Sequence, residues 1–301
     1  MKRKQFAIYT ACIGGYDSIL QPETVDSRFD YFHLTYEVVK DKLGIWQVRH
    51  VDYTNSDKIR IARYVKTHPE ELLPEYEATL WMDANLQIAS SWVYSRFFEL
   101  FDQKECVASV RHPERDCIYD EAYTVSTLAY PWPFEHDHIA MSWLHKIWKD
   151  NYPRHNGLFE TNVLFRRNDA QIKTLDDYWW GIIDFYSKRD QLSFNYALWK
   201  LNIKAEYFLP QGGNCRDSSH FRYYNHSSAS NRKHIDLGFW ELLRYRLYHV
   251  SPKMEERSKR HWHIIYRLVL PTVALWLWGF MFGILYSPVL MKNIIVHRLK
   301  K

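Results

Sequence analysis

Several absences narrow what this chain can be. Glycine is scarce, ten residues in 301. Gly14-Gly15 near the start is too short to serve as the Gly-rich phosphate loop expected of a nucleotidyltransferase. Cysteine is scarcer still. Cys12, Cys106, Cys117 and Cys215 form no CxxC pair and no zinc-type spacing, so they read as free thiols in a reducing compartment. No single sign of charge dominates the body. The net charge is +5, yet residues 251–301 hold nine Lys/Arg against two Asp/Glu, which leaves 31 bases against 33 acids over residues 1–250. A near-neutral body does not suit nucleic acid, and none is expected as a partner. The N-terminal Met1-Lys-Arg-Lys-Gln lacks the apolar stretch of a signal peptide, so the expectation is a body on the cytoplasmic side. There is no internal repeat and no low-complexity segment.

Large side chains are abundant. Aromatic residues make up 17% of the chain, with 13 Trp and 22 Tyr. Such rings fill cores, and they also pack against the C–H faces of sugars.

Short apolar runs alternate with amphipathic ones. Residues 6–13, 31–36, 46–51, 79–82, 106–110, 158–165 and 205–209 read as strands. Residues 56–68, capped by Ser56, and 91–101, 116–128, 138–148, 170–186 and 190–201 read as helices. Alternation of this kind predicts an α/β layer fold with a mainly parallel sheet flanked by helices. Residues 211–231 turn polar and read as a long loop, of the sort that often carries function. Residues 234–250 read as a further helix.

Two constellations carry chemistry. In Leu80-Trp81-Met82-Asp83-Ala84-Asn85-Leu86 an apolar strand delivers a carboxylate, skips one residue and presents an amide. Oxygen ligands two apart at a strand end suit a hard cation, Mn²⁺ or Mg²⁺, with places left for diphosphate oxygens. The same residue types also make ordinary turns. Asp190-Gln191 opens a helix, where Asp190 is either an N-cap or a polar group facing a cleft. Arg60, Arg63 and Lys66 recur every third residue and form a drifting basic stripe, fit for a diphosphate or for solvent. His112, Arg115, Glu121, His155 and Glu160 stand in or near polar turns, as contacts to an acceptor or a sugar. His220 or His226, in the polar loop, could supply a third metal ligand.

Taken in order, Tyr9–Asp17, Lys58–Lys66, Leu80–Asn85, His112–Glu121, Gly157–Thr161 and Ser187–Phe194 resemble the glycosyltransferase-like family first catalogued as domain of unknown function 616. That resemblance implies a GT-A-like (Rossmann-like) fold over residues 1–231 and transfer of a sugar, a hexose, from a nucleotide donor, a UDP-sugar foremost. It implies donor contacts from Tyr9, Thr10, Gly14, Tyr16, Asp17, Arg60, Arg63, Lys66 and Asp83. Asp83 and Asn85 fall where that fold carries its metal-binding DxD motif, with Asn in the second place. Asp190-Gln191 is similar to the Asp-Gln pair of retaining transferases of family 8, which makes these two the expected catalytic residues. A non-catalytic binding or assembly protein of the same fold, or a nucleotidyltransferase, is the alternative.

Residues 232–301 form a basic, then apolar, tail. Residues 268–291 hold no formal charge over 24 positions, long enough for a bilayer span of about 20 residues. Bases flank both ends, and Trp276, Trp278, Phe280 and Phe282 sit mid-segment, where aromatic rings favour an interface. The expectation is a monotopic or single membrane segment at the cytoplasmic face, bringing the enzyme to a glycan or lipid-linked acceptor.

Overall fold

The computed structural model describes residues 5–15, 17–37, 40–130, 132–133, 137–225 and 233–234. These belong to one unit, Met1–Met254. Tyr16, His226, residues 235–250 of the helix expected at 234–250 and the apolar segment 268–291 lie outside the described residues, while His234 is in a short strand. Among those described, no helix is long and apolar enough to cross a membrane.

In chain order the elements are β1 (Phe6–Thr10), β2 (Phe29–Thr35), β3 (Lys42–Leu43), β4 (Trp46–His50), α1 (Lys58–Thr67), α2 (Pro69–Leu72), β5 (Ala78–Met82), β6 (Leu86–Ile88), α3 (Trp92–Asp102), β7 (Val107–Arg111), α4 (Ile118–Thr127), β8 (Leu128–Tyr130), β9 (Trp132–Pro133), α5 (Asp137–Lys149), β10 (Phe159–Arg167), α6 (Ala170–Phe185), a 3₁₀ turn (Asp190–Leu192), α7 (Phe194–Lys200), β11 (Glu206–Tyr207), β12 (Phe221–Tyr223) and β13 (Lys233–His234). Eight strands form the central sheet in the order β11-β7-β10-β5-β1-β2-β4-β3. β1 runs parallel to β2 and β5, β2 to β4, and β7 to β11. β10 is antiparallel to both β5 and β7, and β3 to β4. The expected mainly parallel α/β sheet is present, with β10 reversed third from one edge and β3 reversed at the other edge.

The order β4-β2-β1-β5 has a consequence. The chain leaves β1 on one side for β2 and β4, then returns past it to lay β5 on the other. In open sheets, ligands collect beyond the carboxyl ends of strands at such a switch. The segments after Thr10 and after Met82 both lie there.

Period-two alternation sorts the side chains of these strands. Phe6 and Ile8 of β1, with Leu80 and Met82 of β5, join Phe97 and Leu100 of α3 and Phe165 of β10 in one buried cluster. Tyr9 and Trp81 point to the opposite face, where their rings meet edge to face at 5.2 Å. Asp83 continues the phase of Trp81, so the first polar residue past β5 leaves the sheet on the α1 side.

Several boundaries differ from the sequence reading. α1 is capped by Asp57, whose carboxylate accepts from the Ile59 N–H, and not by Ser56. The helix expected at 190–201 is a 3₁₀ turn followed by a short α-helix. β1 ends at Thr10, because Cys12 and Asp17 then close a loop on each other: Sγ donates to the Asp17 carbonyl at 2.9 Å and accepts from its N–H at 3.2 Å. The polar stretch 211–231 is not all loop. Phe221–Tyr223 pairs antiparallel with Leu86–Ile88.

Candidate functional site

At the switch point an ammonium joins two carboxylates. Lys66 Nζ lies 2.5 Å from Asp190 Oδ2, 3.3 Å from Asp83 Oδ1 and 3.3 Å from Thr161 Oγ1. Lys66 belongs to the last turn of α1, and helical side chains slope toward the N-terminus of their helix. Its stem is therefore aimed back along α1. The backbone beneath is pinned: the Lys66 carbonyl accepts from the Tyr9 hydroxyl at 3.0 Å and from Arg166. Arg166 is itself fully buried, and its Nη1 donates to both Asp176 oxygens at 2.9 and 3.0 Å. Side-chain exposure separates the roles: 1% for Lys66, 4% for Asp190 and 30% for Asp83. Asp83 is the member that faces outward.

Asp190 is not a helix cap. Its N-terminal neighbour Arg189 holds the cap position, with no side-chain cap bond. The Asp190 carboxylate instead takes Lys66, the Thr161 hydroxyl at 2.9 Å and Arg63 Nη2 at 3.4 Å. Burial pushes this carboxyl up, but Arg63 and Lys66 outweigh it and hold it well below the usual carboxylate range.

Thr161 was not singled out by residue type. It reaches the cluster because β10 bulges between Phe159 and Leu164, with Thr161 at φ +56°. A β-branched residue is strained in that region, and bulges of this kind re-aim side chains beside active sites. On the other edge of β10 the ladder with β5 runs on by one rung, and the Asp83 N–H donates to the Asn162 carbonyl at 2.9 Å. Trp81 Nε1 donates to Asp83 Oδ1 at 2.8 Å. Oδ1 is thus doubly engaged, and no described residue hydrogen-bonds Oδ2.

The glycosyltransferase-like domain TOD1/MUCI70 matches residues 1–226. The chain belongs to that family. No curated protein matches it. Among solved structures, it is similar to the bifunctional glycosyltransferase WbbM in its apo form, at 12% identity, TM-score 0.39, over 68% of this chain and 38% of that one. It is also similar to core-mannan synthase A (CmsA/Ktr4) from Aspergillus fumigatus in a Mn/GDP form, at 12% identity, TM-score 0.41, over 69% of this chain and 73% of that one. The chain thus spans well under half of the first of these.

Within this glycosyltransferase-like domain the other expected site residues divide. Asn85 Nδ2 donates to the Tyr224 carbonyl at 2.9 Å, and the Tyr224 N–H donates back to the Asn85 carbonyl at 3.0 Å. That leaves the amide oxygen of Asn85 for other use. Gln191 Nε2 donates to the Glu160 carbonyl at 2.7 Å, while its Oε1 is buried without a partner among the described residues. Glu160 bonds Arg216 and accepts from Asn162 at 3.1 Å. Burial is the main force pushing its carboxyl up, against Arg216, with Asp83 adding to the rise. Thr10 Oγ1, at the end of β1, is also buried and unpartnered among the described residues. Gly14 sits at φ +76°, and a Cβ there would meet the Lys58 side chain at 2.6 Å; its N–H donates to Glu37 at 2.9 Å.

His112, Arg115 and Glu121 do come together, joined by Arg189. Buried Glu121 accepts from Arg115 Nε at 2.6 Å and from Arg189 at 3.3 Å, with His112 Nε2 at 3.7 Å. The cluster ties α4 to the residue before Asp190, so it braces the 3₁₀ turn. Burial, with the neighbouring arginines, pushes His112 down to about 4.

Three expectations fare differently. Arg60 turns away from the cluster: it donates to the carbonyls of Ile183 and Tyr186 and closes the C-terminal end of α6. His155 pairs with Asp116 at 2.7 Å, both about half-exposed. His220 stacks on Trp92 at 4.1 Å and bonds Ser90 at 3.0 Å. Its carbonyl faces Ala89, four ladder positions from Asn85, which is about 13 Å along a strand. His220 is therefore a poor companion ligand for Asp83. Among the described residues no group of three His, Cys, Asp or Glu could hold a metal.

Proposed function

We propose that this chain is a glycosyltransferase, moving a sugar from a nucleotide-sugar donor, a UDP-sugar foremost, to a glycan or lipid-linked acceptor. The observation that carries the reading is Asp83: an outward-facing carboxylate at the carboxyl end of β5, beside the switch point, joined through Lys66 to buried Asp190. A divalent cation, Mn²⁺ or Mg²⁺, fits the donor set in part. Asp83 Oδ2 and the Asn85 amide oxygen are hard oxygen ligands, and the remaining places suit diphosphate oxygens. When bound, the cation would supply charge stabilisation for the departing diphosphate. Arg63 and Lys66 lend positive charge to the same side. Asp190 orients them, and the Asp190–Gln191 turn forms the wall where the donor sugar would sit. The polar braces at Glu121 and Glu160 border the acceptor side. The apolar tail would hold the enzyme at a membrane face.

The test is donor hydrolysis by purified protein across several nucleotide sugars, with and without Mn²⁺, for the wild type and Asp83→Ala. Mn²⁺-dependent turnover of one donor, lost in the variant with its circular dichroism intact, is expected. Donor binding that ignores both chelator and Asp83 would leave the alternative, a non-catalytic binding protein of this fold.

A further inference from the structure

An ammonium group has three hydrogens, and those of Lys66 face three acceptors: Asp190, Asp83 and Thr161. It is 1% exposed, so water does not share the load. Trp81 closes another side, with its ring centroid 5.5 Å from Nζ. The two acids are not held alike. Asp190 has Arg63 as a second cation and sits at 2.5 Å from Nζ. Asp83 has the longer 3.3 Å contact and the neutral Trp81 donor, both on Oδ1, and its side chain is 30% exposed. The weaker, more exposed half of the bridge is therefore the half that a second cation would claim.

Resting on the metal-site reading above, we propose that Lys66 is the site's own placeholder cation, competing with the divalent metal for Asp83. In the donor-free protein it neutralises Asp83 and Asp190 together. A metal on Asp83 Oδ2 would stand a few ångströms from a buried positive charge, and at such range the repulsion is large. Binding of bare metal would be weak in consequence. An arriving diphosphate would offer the Lys66 ammonium a partner in place of Asp83, while Asp190 and Thr161 still hold its Nζ. Lys66 would thereby couple the release of Asp83 for a metal to the arrival of the nucleotide.

The competition is read with Mn²⁺ alone, by electron paramagnetic resonance of the free ion, on full-length protein. Lys66→Met should bind Mn²⁺ at least tenfold more tightly than wild type. Arg63→Met removes the same charge from Asp190 but touches no atom of Asp83, so its affinity should stay within about threefold of wild type. Adding Asp83→Asn to Lys66→Met should abolish the gain. Should Lys66→Met fail to fold, Lys66→Gln removes the charge and keeps a donor for Asp190. Equal or weaker binding in the folded Lys66 variant overturns the proposal, as does an equal gain in Arg63→Met, which would be a field effect and not an exchange of partners. A gain that survives Asp83→Asn overturns it differently, by showing that the metal does not use Asp83 at all. That outcome would also remove the metal-site reading, whereas the first two leave it standing.

Discussion

Replacing Asp190 by Asn separates an ion-pair anchor from a helix cap. Asn caps nearly as well as Asp, so a cap would lose less than about 1 kcal/mol. The geometry demands more. The carboxylate is 4% exposed and faces Lys66 at 2.5 Å and Arg63 at 3.4 Å. Removing one partner of a buried pair costs about 3–5 kcal/mol, because the other charge stays buried without compensation. Lys66 keeps Asp83 at 3.3 Å, which argues for the lower end, about 3 kcal/mol. For a domain of this size that is roughly 6–12 °C in melting temperature. The assay is urea unfolding of the wild type and Asp190→Asn, with Asp190→Asn/Lys66→Met as the third protein. The double variant should be more stable than Asp190→Asn alone, since the buried ammonium left with Asp83 as its one carboxylate is gone. The pH dependence has a definite sign. Asp190 is depressed in the folded state, so its contribution is present above the unfolded carboxylate range near 4 and is lost only as pH falls toward the lower folded value. The gap between wild type and variant should be flat from pH 5 to 8 and shrink below about pH 4. A loss under 1 kcal/mol at neutral pH would refute the reasoning, as would a double variant no more stable than the single.

Arg60→Met should lower the unfolding midpoint and leave donor affinity unchanged, because Arg60 serves the end of α6; a loss of donor binding at intact stability would return it to the site. His112 is held below its unfolded value, so the folded state binds fewer protons between about pH 4 and 6.5 and stability should fall as pH drops through that window. His112→Gln should flatten that part of the stability profile in urea titrations, and an unchanged slope would contradict it. Truncation after Val250 should release the protein from membranes and leave a folded, donor-binding body. High salt should weaken but not abolish pelleting of the intact chain, since salt screens charges and not buried apolar surface; full release by salt alone would oppose membrane insertion.

The sheet was legible because its strands are apolar on both faces, so short runs such as Thr79–Met82 stand out between amphipathic helices. Strand direction was not legible. Nothing in Phe159–Arg167 marks it as running against its neighbours. Asp83 could be read because an apolar strand points straight at it. Asp190 could not be told from a cap, since its partners Lys66 and Thr161 lie 124 and 29 residues away. Thr161 escaped notice for a related reason. Its role comes from a bulge and a left-handed backbone, and a threonine in a β-rich run carries no sign of either.

The basic stripe of α1 shows why spacing alone does not assign a site. Arg60, Arg63 and Lys66 recur every three residues, whereas the helix repeats every 3.6. Each step of three falls about 60° short of a full turn, so three bases drift around roughly a third of the circumference. The structure gives each direction a different neighbour. Arg60 meets the end of α6, Arg63 the carbonyl of Lys188 and the near oxygen of Asp190, and Lys66 the interior between Asp83 and Asp190. A stripe that followed the helix more closely would have delivered three charges to one place, as a diphosphate clamp requires. The drift instead spends one base on closing a helix, one on steadying an acid, and one on bridging two acids. Only the last two remain available to a bound anion, and both must first release or share a carboxylate. If the proposed donor binds at this face, Asp190 would gate its electrostatic attraction, whose strength should be read from the Asp190 and Lys66 variants and not from the count of bases on α1.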